Sequence, residues 1–431
     1  MRNLTKAIIL LSAALALFSC GGEPAPMSDT TAADTTIAEP AAAETVIVAD
    51  GVSGFTIIRA EDGAQTIVQS VVNFKKKLDA CTGAAFDIAT DFYNPRTQEA
   101  VFPDPEILVG ETNRPETAEV LAALPENSYT ITRVGSKLVI VGTDPNLTVL
   151  ALQRFEETVL NNSARCGAGK LVFSDADAVT VTFDAPLTLA DLIASGFQVT
   201  AESEQVMHCP AYSSEIRVAQ GAASDGTYAY FVIRHTKDEG AVVYKHRLDD
   251  GTRVAQSEVI QVGHGNDATF DTKNNRLVIA HGQSQGKMLT MVDPETLKVI
   301  EVVNIPAGSG AISYSAASDR YAISQGGSTL HILDANFKLL SSYTRQKNSS
   351  YTAQGMGSDE QYVYFPMSGS KDNVIEVYSW DGDYVTTINV PDSFESESLF
   401  WVNDTYYIAY YKGASNAGAY LYRLNFRIIY A

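Results

Sequence analysis

Residues 263–282 read GHGNDATFDTKNNRLVIAHG, a polar loop, a strand, a turn and a second strand in succession. Four other segments repeat this order, each with a strand rich in Tyr, Val and Ile. The aligned segments are SDGTYAYFVI (224–233), DTKNNRLVIAHG (271–282), AASDRYAISQG (316–326), SDEQYVYFPMS (358–368) and WVNDTYYIAYYKG (401–413), with Tyr228, Leu277, Tyr321, Tyr362 and Tyr406 as equivalent residues. The spacings between these residues are 49, 44, 41 and 44, which indicates a tandem repeat of one supersecondary unit.

A second turn follows each of these segments at a similar distance. In HRLDDGTRV (246–254) and YSWDGDYVTTI (378–388), an Asp-Gly turn joins two further strands. Five four-stranded units fit between about residue 216 and residue 426. A ring of blades must close, and FQVTAESEQV (197–206) supplies the outer strand that the last unit lacks. The pattern predicts an all-β, five-bladed β-propeller over residues 197–431.

Residues 47–190 have a different pattern, in which strands alternate with helices. EILVG (106–110) has the composition of a buried strand, whereas residues 64–81 have apolar side chains at helical spacing. Two more helices are predicted at 114–124 and 144–160, each with a proline near its first turn. We therefore expect an α/β sandwich domain over residues 47–190, ahead of the propeller.

Both halves resemble known families. PEILVGETNRPETAEVL (105–121), with the elements after it, resembles the small non-catalytic domain that precedes the barrel in β-hexosaminidases and α-glucuronidases. The order of elements and the G-x-T-N-R-P-E segment both match, but no catalytic barrel follows, so the activity of those enzymes is not implied. The propeller half has QG, HGND, QG and Glu-x-Glu at the start of successive units. In this it resembles the five-bladed propeller of phage receptor-binding proteins and proteins of teichoic-acid operons.

The first residues have the form of a secretion signal. Arg2 and Lys6 form a short basic start, and the run Ala7–Phe18 is apolar. This run is shorter than the roughly 20 residues that a membrane-spanning helix needs, and its length is typical of a signal peptide.

The sequence LFSC (17–20) resembles the lipobox of bacterial lipoproteins. The resemblance implies that residues 1–19 are removed and that Cys20 carries the lipid. Residues 20–46 are rich in Ala, Thr, Pro and Glu, which predicts a disordered tether. We expect an extracytoplasmic protein that is anchored to the lipid bilayer of the bacterial cell envelope by its N-terminus.

The chain is acidic, with 31 Lys and Arg against 51 Asp and Glu and a net charge of −20. Removal of residues 1–19 takes away two basic residues and no acid, which changes the net charge from −20 to −22. Nucleic acid is therefore not expected as a partner, because phosphate binding depends on clustered Lys and Arg.

Three cysteines remain after Cys20, so one of them is left unpaired or pairs outside the chain. Pairing is expected in an oxidising compartment. Cys81 and Cys166 each follow a helix of the α/β unit, and these helices should pack on one face of its sheet. We predict a Cys81–Cys166 disulfide.

Polar loops that enter the innermost strands provide the candidate ligand-binding residues. In a propeller the same loop of every blade lies on the same face, so these residues should meet at one mouth of the central channel. Convergent polar groups in a concavity are typical of a binding site. The candidates are Gln220, His264, Asn266, Asp267, Gln354, Glu395 and Glu397.

The same residues also have a structural interpretation, in which Asp267 accepts hydrogen bonds from amides of its own loop and His264 caps a neighbouring blade. No cofactor is assigned and metal binding stays open. Calcium, which prefers oxygen ligands, would suit Asp267 with the two glutamates, but His264 would not belong to such a site. His264 and His281 are expected at opposite ends of one strand, which argues against a two-histidine zinc site.

Two patterns typical of hydrolases also occur. GQSQG matches the nucleophile elbow around Ser284, but a strand rather than a helix follows, so a hairpin turn is predicted. Glu395 and Glu397 with Asp225 or Asp359 would form an acid/base pair only at a separation of about 5–9.5 Å. The two aspartates lie in SDG and SDE, which are turn sequences. No catalytic residue is assigned.

These observations favour a membrane-anchored binding protein for carbohydrate or another cell-envelope polymer. The alternatives are a glycan-cleaving enzyme that uses propeller carboxylates and a protein-interaction scaffold. Trp401 and the tyrosines near it (406, 407, 410 and 411) would suit sugar stacking, but we assign them to blade cores, which also need large side chains.

Overall fold

Successive units of antiparallel strands make up the C-terminal half of the chain, two of them as separate four-stranded sheets and the others joined into one larger sheet, and a group of helices and strands precedes them. The structure is a computed structural model that describes residues 43–94, 96, 104–237, 240–282, 286–326, 328–346 and 350–431. The predicted signal peptide, most of the predicted tether, Cys20 and Ser284 lie outside these ranges. Within them, no helix has the length and apolar character needed to cross a membrane.

The N-terminal part, within the described residues, combines short strands with four α-helices. The elements are β1 Glu44–Ala49, β2 Val52–Ser53, β3 Thr56–Arg59, α1 Gln65–Thr82, β4 Asp87–Thr90, β5 Glu106–Val109, α2 Pro115–Ala123, β6 Ser128–Val134, β7 Lys137–Gly142, α3 Pro145–Phe155, β8 Cys166–Gly167, β9 Lys170–Ser174, β10 Val179–Thr182 and α4 Leu189–Ala194. A single π-helical turn, Glu156–Leu160, continues α3. The strands form one sheet of order β2-β1-β9-β8 and a mixed sheet of order β10-β6-β7-β5-β3-β4.

Successive side chains of the mixed sheet pack alternately into two apolar clusters, one on each face of the sheet. Ile57 and Ile107 lie in the large cluster with α1 and α3, whereas Ile58 and Leu108 lie in a smaller cluster against Val120 of α2. This is the period-2 alternation that puts successive side chains on opposite faces.

One boundary differs from the sequence expectation. Residues 44–46, assigned to the tether, belong to β1 and pair with β9.

The C-terminal part begins with β11 Gln198–Pro210 and continues as a series of blades. Blade 1 is β12 Ile216–Ser224, β13 Tyr228–His235, β14 Gly240–Arg247 and β15 Arg253–Gln256, with β16 Ile260–Gln261 also on β14. Blade 2 is β17 Asp267–Asp271, β18 Arg276–Ala280, β19 Met288–Val292 and β20 Val299–Asn304. Blade 3 is β21 Ala311–Ser315, β22 Arg320–Ser324, β23 Thr329–Asp334 and β24 Leu339–Thr344.

Blade 4 is β26 Gly357–Ser358, β27 Tyr362–Ser368, β28 Asn373–Ser379 and β29 Tyr384–Val390, with β25 Thr352–Ala353 also on β27. Blade 5 is β30 Glu395–Val402, β31 Thr405–Tyr411 and β32 Gly418–Ile429, and β11 completes it by pairing with β32. The strand predicted at 197–206 to fill the last unit is therefore confirmed. The five equivalent residues of the sequence repeat all lie within the first two positions of the second strand of a blade.

The innermost strands β12, β17, β21, β26 and β30 lie side by side around a ring. Each contacts the next, and β30 contacts β12, so the ring closes. A separate apolar cluster fills each of the interfaces between blades 5 and 1, 1 and 2, 2 and 3, and 3 and 4. The arrangement is a propeller-like β fold, as the repeat predicted.

The interface between blades 4 and 5 is continuous with the core of the N-terminal part. One cluster contains Ile388 of blade 4, Leu424 of blade 5 and Phe155 of α3. Asn146, in the first turn of α3, donates from Nδ2 to the carbonyl of Phe426 and accepts from the amide of Ile428, both at 3.0 Å. The side chain therefore holds β32 as a neighbouring strand would.

Candidate functional site

The N-terminal ends of the innermost strands define one mouth of the central channel, which we call the channel mouth. The structure brings together Asn266, Asp267, Gln354, Glu395 and Glu397 there. The other two candidates, Gln220 and His264, lie at the same end of their blades. Gln220 Nε2 donates to the carbonyl of Ala219, and the amide of His264 donates to the carbonyl of His281.

Asp267 is fully buried at the centre of the ring. One carboxylate oxygen accepts from the amide of Ala268 at 2.8 Å and from the hydroxyl of Ser398 at 2.7 Å. The other accepts from the amides of Ile312 and Met356, both at 2.9 Å. Burial raises the pKa of Asp267, and these four hydrogen bonds oppose the rise.

The partners of Asp267 come from blades 3, 4 and 5 as well as from its own strand. Both oxygens are therefore occupied in joining blades, which supports the structural interpretation of Asp267 and leaves them poorly placed to coordinate calcium. A Cβ at Gly221 would overlap the backbone of Asp267, so close packing of blade 1 against blade 2 requires glycine there.

Asn266, Gln354 and Glu395 form a chain of hydrogen bonds across three blades. Asn266 Nδ2 donates to the carbonyls of Gly310 and Gln354. Gln354 Nε2 in turn donates to Glu395 Oε1 at 2.6 Å, at the exposed rim. These side chains present further amide and carboxylate atoms to solvent at the mouth.

Glu397 differs from the other members of the channel mouth. It lies at a β-bulge between Ser396 and Ser398 of β30, is only 3% exposed, and its Oε1 has no hydrogen-bond partner among the described residues. Burial, together with the charges of Glu395 and Asp267, raises the pKa of Glu397 well above its usual range. A buried carboxyl oxygen without a partner is costly, and a ligand that donates a hydrogen bond would remove the cost.

The expected separation of His264 and His281 is wrong. Because β17 and β18 form an antiparallel hairpin, both histidines lie at the same end of blade 2, and the His264 amide bonds the His281 carbonyl at 2.9 Å. His281 is buried, with Nε2 2.6 Å from Thr290 Oγ1. In the part of the chain that the structure describes, no three His, Cys, Asp or Glu side chains are grouped to hold a metal ion.

The carboxylates considered for catalysis lie at opposite ends of the innermost strands. Asp359 and Trp401 line the same cavity. Trp401 lies four residues after Glu397 on β30, and four residues of a strand span about 13 Å. Asp359 accepts from the amides of Gln361 and Tyr362, both at 2.7 Å, as a turn residue. Asp225 accepts in the same way from Thr227 and Tyr228.

Neither aspartate can therefore work with the glutamates at the separation that glycoside hydrolysis needs, which is at most about 9.5 Å.

A groove that the sequence did not predict lies at this far end. It has a volume of about 700 Å³ and is formed by five separate parts of the chain: the start of α3 at 144–146, residues 185–192, the turns at 359–361 and 401–406, and β32 at 423–427. A second cavity of about 190 Å³ covers the far end of the channel and shares Asp359, Glu360 and Trp401 with the groove. Trp401 is half-buried, so its assignment to a blade core is only partly correct.

The three cysteines that the structure describes lie away from both regions. Cys81 and Cys166 are joined by a disulfide, with Cα atoms 6.6 Å apart. Cys209 is the free cysteine of the described chain, and burial raises the pKa of its thiol to about 12. It is therefore an inert core residue.

The fold and the site together define a propeller-like β protein with a polar channel mouth. No protein-family model matches the sequence, and no curated protein matches it. Among solved structures, glutaminyl cyclase of Myxococcus xanthus is similar over 54% of this chain and 99% of its own, at 10% identity and a TM-score of 0.42. Hydrazine synthase of Kuenenia stuttgartiensis is similar over 46% of this chain and 56% of its own, at 11% identity and a TM-score of 0.32.

A chain of the nidogen/laminin complex is similar over 46% of this chain and 73% of its own, at 10% identity and a TM-score of 0.33. At these scores the likenesses carry no inference about ligand or activity.

Proposed function

We propose that this protein is a lipid-anchored, extracytoplasmic binding protein whose ligand is a carbohydrate or another polymer of the bacterial cell envelope. The proposal includes a five-bladed propeller, an N-terminal domain of the type that accompanies hexosaminidase barrels, and Cys20 as the lipidated residue. The observation that carries it is Glu397, a buried carboxyl group at a mouth lined by amides and a second carboxylate, whose Oε1 has no hydrogen-bond partner in the described part of the chain.

A hydroxyl-rich ligand suits this chemistry. Each hydroxyl both donates and accepts, so it can donate to Glu397 while Gln354 and Glu395 bond its neighbours. The net charge of −20 makes a polyanion a poor ligand here. Binding of this kind needs no reacting group.

A glycan-cleaving enzyme is the second candidate, and one observation favours it. Glu395 is exposed and paired with Gln354, whereas Glu397, two residues along β30, is buried with a raised pKa. Two carboxyl groups in contrasting environments are typical of an acid/base pair.

A glycan array with the mature protein, followed by a reducing-end assay on each sugar that binds, separates the candidates. Binding without release of reducing ends is the result we expect, and release of reducing ends would favour the enzyme. Glu397→Gln should weaken binding, whereas Glu301→Gln, an exposed glutamate on the outer strand β20, should not. Binding that is unchanged in Glu397→Gln, or no binding to any glycan, would overturn the assignment.

The anchor is tested separately by cell fractionation. Cys20→Ser should move the protein from the membrane fraction to the soluble fraction, because the lipid attachment point is lost. Retention of this variant in membranes would exclude lipidation at Cys20.

A further inference from the structure

The groove beside Trp401 is a second, separate place where a ligand would fit, and it goes beyond the proposed function of the channel mouth. It lies at the other end of the innermost strands, beneath α4 and β32. Its volume of about 700 Å³ falls within the range of ligand pockets. The adjoining cavity of about 190 Å³ shares Asp359, Glu360 and Trp401 with the groove and so continues the space past Trp401.

The ionised groups of the groove determine which charge it accepts. Its two arginines are already paired, Arg423 with Glu204 and Arg427 with Glu202. Neither is a free cation for a phosphate, sulfate or uronate group. Glu360 is exposed and makes no ion pair with any described residue.

Asp404 is likewise exposed at the groove, and two further acids contribute negative charge although their oxygens are occupied. Asp144 caps α3 by accepting from the amides of Asn146 and Leu147. Asp359 is held by its turn and by the hydroxyls of two tyrosines. An anionic ligand would therefore meet net repulsion in the groove.

The remaining surface combines a flat aromatic ring with hydrogen-bonding groups of both kinds. Trp401 is half-buried, and its ring lies 6.5 Å from that of Tyr406. Gln361 and Asn425 supply amide donors and acceptors, and Glu360 supplies an acceptor. A cation would use only the acceptors, whereas a pyranose ring offers an apolar face to the indole and hydroxyls to the rim.

We infer that this groove binds an uncharged oligosaccharide, with one sugar ring stacked on Trp401. The juxtaposition of Trp401, the side-chain amides and the neutralised arginines carries the inference.

The fluorescence of Trp401 can report whether a ligand occupies the groove. The chain has two tryptophans, and the other, Trp380, is 6% exposed in the cluster between blades 3 and 4. Trp401 is therefore the tryptophan that a ligand would cover. Emission and acrylamide quenching can be measured on the mature protein with hexaoses of cellulose, starch and chitin, with hexagalacturonate and with hexalysine.

We expect at least one of the three neutral hexaoses to shift the emission to the blue and to reduce quenching. Trp401→Phe should abolish both changes, and Trp401→Ala should weaken binding by about tenfold or more in calorimetry. Glu360→Gln, on an exposed turn, provides a second variant that need not perturb folding. Tyr212→Ala, an exposed aromatic elsewhere, should bind as the wild type does.

Three results would overturn the inference: no response to any neutral hexaose, equal or tighter binding of hexalysine or hexagalacturonate, or unchanged affinity in Trp401→Ala with a native melting curve. Glu397→Gln should leave this signal unchanged, so failure of the groove and failure of the channel mouth are distinguishable.

Discussion

Asn146 joins the N-terminal part to the propeller through two backbone hydrogen bonds, and we expect its replacement by alanine to be among the most destabilising polar substitutions in the chain. The side chain is 7% exposed, and its bonds to Phe426 and Ile428 are both 3.0 Å long. Asn146→Ala would leave one buried amide and one buried carbonyl without a partner. Each costs about 1–3 kcal/mol, and the higher helix propensity of alanine returns about 0.5 kcal/mol.

The expected loss is therefore about 1.5–5.5 kcal/mol in the free energy of unfolding. It should be measured from the midpoint of urea denaturation at 25 °C, with the slope of the transition compared between variant and wild type. Asn73→Ala is the matched control, because Asn73 makes only one hydrogen bond to the described part of the C-terminal segment, to the carbonyl of Tyr430 at 2.8 Å, and the bonds that its Oδ1 accepts from Gln69 and Lys76 are exposed. We expect it to cost about 1 kcal/mol or less.

Asn146→Asp tests the donor and acceptor roles of Asn146 separately. An aspartate retains an acceptor for the Ile428 amide but turns a negative oxygen toward the Phe426 carbonyl. It should be at least as destabilising as alanine at pH 7 and less so at pH 3, where the carboxyl can donate. A loss of less than about 0.5 kcal/mol in Asn146→Ala, or one equal to that of Asn73→Ala, would refute the role of Asn146 as the link to β32.

Three other predictions follow from buried polar groups and the disulfide. Asp267→Ala should lower the free energy of unfolding by at least about 3 kcal/mol in urea, because three amides and a hydroxyl lose their acceptor; a shift below about 1 kcal/mol would contradict this. Since the pKa of Glu397 is raised, the unfolded chain releases a proton above about pH 4.3 that the native state retains, and the wild type loses stability as pH rises through that range. Glu397→Gln should therefore melt above the wild type at pH 7.5 and close to it at pH 4, and a difference that does not grow with pH would count against the assignment. The Cys81–Cys166 bond closes a loop with a sequence separation of 85, so the double serine variant should lose up to about 4 kcal/mol, and non-reducing peptide mapping that finds both thiols free would contradict the pairing.

The repeat could be predicted from the sequence because every blade uses the same local signals. Tyr228, Tyr362 and Tyr406 stand at the start of second strands, where a turn residue precedes and alternation follows. Equivalence in the repeat also predicted that Gln354 and Glu395 would meet at one end of the ring, where they hydrogen-bond.

The roles of individual site residues could not be predicted in the same way. Asp267 bonds Ile312, Met356 and Ser398, and these pairings depend on the relative heights of separate blades, which no local pattern specifies. The expectation that His264 and His281 lie at opposite ends of one strand was wrong, because residues 267–280 form a hairpin of two strands. The groove required residues 185–192 and 423–427 to meet, more than 200 positions apart.

The attachment of Tyr430 has a consequence for the order in which the chain can fold. Its ring lies 6.1 Å from that of Phe74, its hydroxyl donates to Glu156 at 2.7 Å, and its amide donates to Ser70, 360 positions earlier. A ribosome makes α1 long before it makes this tyrosine. The part of the protein that is synthesised first therefore cannot complete its core until the part synthesised last has arrived, and contacts of such long range form slowly. We expect nascent chains that stop before β32 to remain open to proteases between α1 and α4, well after those helices have left the ribosome.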